Sequence, residues 1–133
     1  MTEAELRMTA ANVRTHLLGL LRTFASQDEQ RDYQRTVPFV PVLTELSCGW
    51  ADDLYHPDTA AHALAFSPAE RAALAGFDAE FRRWSDAVCG GDVEAFIASP
   101  AGEALARAAA VALAAFPEAA DAEQGAAPDP AGM

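Results

Sequence analysis

A chain of 133 residues has room for one domain and not for two independent cores. Its 20 acidic residues outweigh nine basic ones, for a formal net charge of −11, which disfavours phosphate backbones and anionic lipid and makes a basic protein the better class of partner. Every basic residue is arginine, and without lysine neither Schiff-base chemistry nor a P-loop is available.

Apolar residues make up 51% of the chain, but only 27 are Leu, Ile, Val or Phe, and much of the rest is alanine. Few large side chains and many alanines favour closely packed helices, and a single isoleucine argues against a sheet. The expected fold is all-α: a compact bundle of about four amphipathic helices over residues 1–116, followed by a flexible acidic Ala/Pro/Gly tail over 117–133. The apolar cluster Leu17–Leu21, between Arg14 and Arg22, is far too short to span a bilayer, and the N-terminus lacks a signal-peptide pattern. A cytoplasmic protein with reduced thiols at Cys48 and Cys89 is expected, with no membrane and no nucleic acid as partner.

In chain order, Thr2 and Glu5 have the spacing of a capping box, and Leu6, Ala10, Val13, Leu17, Leu20 and Phe24 form a stripe of helical period. They predict a first helix to about Gln30, extending at most to Arg35. Val37 to Pro41 holds two prolines and reads as an extended connection. Leu43, Leu46, Trp50 and Leu54 share one face of a second helix ending at His56, before Pro57; a short strand at Phe39–Leu43 is the competing reading. Residues 58–66 fit a helical turn or a loop. Ser67-Pro68-Ala69-Glu70 supplies an N-cap, an N1 proline and an N3 glutamate, and starts a third helix with Leu74, Phe77, Phe81, Trp84 and Val88 on one face. Ala72, Ala75, Gly76 and Ala79 give it a second face of small residues, suited to close packing on another helix or on a second copy. Gly90-Gly91 is its stop. Asp92 caps a short turn through Ile97, and Ser99-Pro100 opens a fourth helix carrying Leu105, Ala109, Ala112 and Phe116.

Charge is concentrated in one place. Residues 37–70 contain Glu45, Asp52, Asp53, Asp58 and Glu70 and no basic residue. The same stretch holds Trp50, Tyr55, His56 and His62. One chemistry that fits is protein recognition. Acids steer a basic partner into encounter and an aromatic side chain supplies the desolvated contact. Asp52, Asp53, Tyr55 and Asp58 are the candidate contact residues; Trp50 lies on the apolar stripe and Tyr55 off it. Such a chain is a non-enzymatic interaction module, inhibitor- or immunity-like in its electrostatics, with no cofactor.

The alternative is a metal-dependent helical-bundle enzyme. At 100° per residue, Glu45, Asp52 and His56 fall within about 40° of one another. With His62 they offer the donor types of a divalent-metal site. No HExxH, ExxH or paired HxxxH spacing accompanies them, and a polar strip opposite an apolar face is also what a solvated helix presents. The third reading is a self-assembling subunit, a homodimer through Ala72, Gly76 and Ala79. The two cysteines read as inert thiols, Cys89 at a helix end whose dipole opposes the thiolate.

Overall fold

Thr2 closes the capping box: its hydroxyl accepts from the Glu5 N–H and its own N–H donates to Glu5 Oε1, both at 3.0 Å. In the computed structural model, which describes residues 1–88 and 92–118, helix α1 follows over Glu3–Ala25. It stops short of Gln30 because Ser26 leaves helical geometry at φ −119° and ψ 110°. The Ser26 hydroxyl instead accepts from the Glu29 N–H and caps a separate helix α2, Gln27–Thr36. Gln30 is buried beneath the break and donates Nε2 to the Thr23 and Phe24 carbonyls at the end of α1, the first of which also accepts the Ser26 N–H.

The Val37–Pro41 connection turns instead of running extended, and Val42 and Leu43 already belong to a helix, so the competing strand at Phe39–Leu43 does not form. Pro41 is the N-cap of α3, Val42–Cys48, which passes directly into a π-helical turn over Gly49–Leu54. Thr59 caps α4, Ala60–Ala65. Ser67 and Glu70 exchange cap hydrogen bonds at 2.9 and 3.1 Å and open α5, Pro68–Val88. Asp92 caps α6, Val93–Ile97, and Ser99 caps α7, Pro100–Leu113, with Pro100 in the first turn. The described residues thus form seven α-helices and no strand, and the fold is all-α. The four helices expected correspond to α1, to α3 with its π turn, to α5 and to α7; the shorter α2, α4 and α6 occupy what read as helix ends and links. Cys89, the Gly90-Gly91 stop and all but the first two residues of the 117–133 tail lie outside the described residues.

Helix α7 packs against both α1 and α5, α4 lies on α1, and α2 meets α6. Alanine gives α7 its close approach: Ala101, Ala109 and Ala112 are all buried. At Gly102 even a methyl group is excluded, since a Cβ there would lie 2.0 Å from the Phe96 carbonyl oxygen. The large side chains concentrate where α1, the π turn and α5 meet. Phe24 and Phe77 have ring centroids 5.3 Å apart, and Trp50 stands edge-on to Phe77 at 4.7 Å.

One arginine joins four parts of the chain. Arg14 of α1 donates to both Glu70 oxygens at 2.9 and 2.8 Å, to both Glu118 oxygens at 2.6 and 2.9 Å, and to the Ala65 carbonyl at 2.7 Å. Its guanidinium lies over the rings of Phe66 and Phe116, 5.7 and 5.4 Å from their centroids. These charge-assisted bonds hold the Glu70 carboxyl down at about 2, with help from Ser67 and against the cost of burial. Glu118 is lowered and Arg14 raised by the same bonds.

Candidate functional site

The acidic segment begins in α3 and runs through the π turn. An i→i+5 hydrogen bond joins the Trp50 carbonyl to the Tyr55 N–H at 3.0 Å. That wider turn changes which side chains face inward. In an α-helix Leu54 would sit over Trp50, one turn on. Here Tyr55 does: its ring stacks on Trp50 with centroids 4.7 Å apart and planes 12° apart. Tyr55 is only 8% exposed, so the expectation of an exposed aromatic anchor is corrected. Its hydroxyl is pushed up by burial, and further by the charge of Asp78 against a smaller opposing effect of Arg82. Trp50 is core, as its position on the apolar stripe implied, and its Nε1–H donates to Asp78 Oδ1 at 2.9 Å. Asp78 also accepts from Arg82 Nε at 2.6 Å.

The other members of the segment point different ways. Glu45, Asp52, Asp53, His56 and Asp58 are exposed. The His56 ring meets the Asp52 backbone carbonyl through Nε2 at 2.9 Å and caps the end of the π turn. His62 is 2% exposed, set between the rings of Tyr55 and Phe66. Burial lowers its pKa, with smaller contributions from Arg71 and His56. The Glu45, Asp52, His56 and His62 set is therefore not assembled as a metal cage. One donor is in the core and three are at the surface, and the described residues contain no group of three His, Cys, Asp or Glu side chains able to hold a metal ion. Only an unbroken α-helix would bring Glu45, Asp52 and His56 into one strip, and the π turn breaks the phase between Glu45 and His56.

The surface acids of this segment form a run without ion pairs. Arginine neutralises acids on α1, α2, α5, α6 and α7, from Glu3 to Glu103. Among the described residues no ion pair involves Glu45, Asp52, Asp53 or Asp58. Glu70, the fifth acid of the stretch, is instead consumed by Arg14. Among the described residues Glu5, Glu29, Asp86 and Asp92 also lack an ion pair, but they are scattered over α1, α2, α5 and the start of α6, whereas the four carboxylates of α3, the π turn and the loop that follows lie together in one segment.

Sequence reasoning found the acids but missed the partners of Arg14, which lie 56 and 104 residues away. It also passed over Phe39, which is 98% exposed. The prolines flanking Phe39 were the available signal. No helix of the described residues is long and apolar enough to cross a membrane. No family model matches this chain, and no curated protein or solved structure matches it significantly.

Proposed function

We propose that the chain is a non-enzymatic interaction module of the cytoplasm that presents Glu45, Asp52, Asp53 and Asp58 to a basic protein. The observation that carries this reading is the pairing pattern. These four carboxylates are exposed, carry no ion pair and follow one another along one segment with no arginine in it, whereas the other unpaired acids among the described residues, Glu5, Glu29, Asp86 and Asp92, are scattered among acids that arginine neutralises. An acid already paired within its own fold must lose that partner before it can recognise another. An unpaired one keeps its field and steers encounter. The backbone that bears Asp52 and Asp53 is held by the stacked Trp50–Tyr55 pair beneath, so the charges sit on an ordered support. An inhibitor- or immunity-like role is the narrower form of this reading, and the electrostatics are its support.

The test is affinity capture from the organism's own extract, comparing the wild-type chain with a Glu45→Gln, Asp52→Asn, Asp53→Asn, Asp58→Asn variant. A basic protein should be retained by the first and lost from the second. Its retention should also weaken as salt rises, because the Debye length falls from about 10 Å at 0.1 M to about 3 Å at 1 M. Identical capture by both chains sinks the reading.

A further inference from the structure

Phe39 is held out in solvent by the turn that carries it. Val37-Pro38-Phe39-Val40 is a turn closed by the Val40 N–H on the Val37 carbonyl at 3.0 Å. The Gln34 amide clamps it, donating Nε2 to the Val37 and Val40 carbonyls at 3.2 and 2.7 Å and accepting from the Val42 N–H at 3.4 Å. A phenyl ring, 98% exposed, is thus carried on a fixed turn. Beside it opens a cleft of about 810 Å³. Arg31 and Arg35 of α2 stand on one wall, and Asp92 and Glu94 at the start of α6 on the other. Arg31 and Glu94 join the walls at 2.8 Å.

We propose that this face is a two-fold interface between two copies of the chain, with Phe39 of each seated in the cleft of the other. Knob and cleft occupy one patch, which is what a self-complementary interface requires. Arg31 and Glu94 neutralise each other within one copy; Arg35 is held only by an exposed pair with Asp32, which is worth little, and Asp92 has no ion pair among the described residues, so a two-fold rotation can lay Arg35 of one copy against Asp92 of its mate. A uniformly basic partner would meet Arg31 and Arg35, and a uniformly acidic one would meet Asp92 and Glu94. A chain of net charge −11 repels its own copies over most of its surface, and the lining of this cleft, two arginines against two acids, relieves that repulsion locally. Burying two phenyl rings supplies the apolar centre of such an interface.

The experiment is analytical ultracentrifugation of the whole chain over a wide concentration range. The wild type should rise from 14.0 kDa towards twice that mass. Phe39→Ala should weaken dimerisation about tenfold or more while leaving thermal unfolding of the monomer unchanged. Leu64→Ala, at another exposed apolar side chain, should dimerise as the wild type does. A wild type that stays monomeric at every concentration overturns the proposal. So does a Phe39→Ala chain that dimerises as tightly as the wild type.

Discussion

Tyr55 lies flat against Trp50, five residues on, because the backbone between them makes a π turn rather than an α turn. Buried aromatic pairs contribute about 0.5–1.5 kcal/mol beyond the area they cover. Tyr55→Ala removes both the stack and the burial and should cost about 3–5 kcal/mol. Tyr55→Phe keeps the ring and should cost less than about 1.5 kcal/mol. Urea denaturation of the two variants checks this; equal losses would mean that the hydroxyl, not the stack, matters.

Neutralising the surface acids should leave the fold alone. Asp52→Asn, Asp53→Asn and Asp58→Asn break no ion pair, so each should change stability by no more than about 0.5 kcal/mol. Glu70→Gln, in contrast, removes a charged partner from half-buried Arg14 and should cost about 1.5–3 kcal/mol. If the surface substitutions proved as damaging as Glu70→Gln, those acids would be structural and the interaction reading would lose its basis.

Acid should act on stability in two windows. His62 is held below its ordinary 6.5 by burial, so the unfolded chain takes up this proton first. Its contribution is complete above pH 6.5 and declines as the pH falls through that value. Glu70, held at about 2, contributes fully above its ordinary 4.5, and that contribution is lost as the pH falls towards 2. Urea midpoints measured against pH should show both declines. His62→Leu should flatten the first and Glu70→Gln should diminish the second. A wild-type midpoint that stays constant from about pH 7 to about pH 5 contradicts the assignment to His62.

Two glycines should respond oppositely to the same methyl group. Gly76, inside α5, has nothing within 4 Å of where a Cβ would be, so Gly76→Ala should stabilise by about 0.8–1 kcal/mol through helix propensity. At Gly102 the Cβ would meet the Phe96 carbonyl, a backbone atom that cannot rotate away. Gly102→Ala should cost at least about 1–3 kcal/mol, and thermal unfolding gives both signs.

What the sequence disclosed was local. Thr2, Ser67 and Ser99 announce helix starts because a cap is a matter of three or four adjacent residues, and all three cap as expected. The burial of Leu74, Phe77 and Phe81 follows from helical period alone. Ser26 carries the same type of signal, but a continuous apolar stripe up to Phe24 overshadowed it. The π turn has no comparable mark: Gly49 weakened the helix reading without showing that one extra residue would enter the turn. That single residue turns Tyr55 out of water and onto Trp50, and it interrupts the strip of Glu45, Asp52 and His56 that an α-helix would make continuous. Arg14 shows a different limit, since nothing near it in the chain hints that its partners are Glu70 and Glu118.

The order in which the chain is made bears on that arginine. Arg14 leaves the ribosome early with α1, and Glu70 follows, but its second carboxylate comes 104 residues after it. During synthesis the guanidinium therefore has half of its eventual counter-charge, and the rings of Phe66 and Phe116 cannot enclose it until α7 has emerged. The latch that joins α1 to the segment after α7 closes only once Glu118 has been made. A nascent chain halted before Phe116 should be far more open to proteases than the released protein.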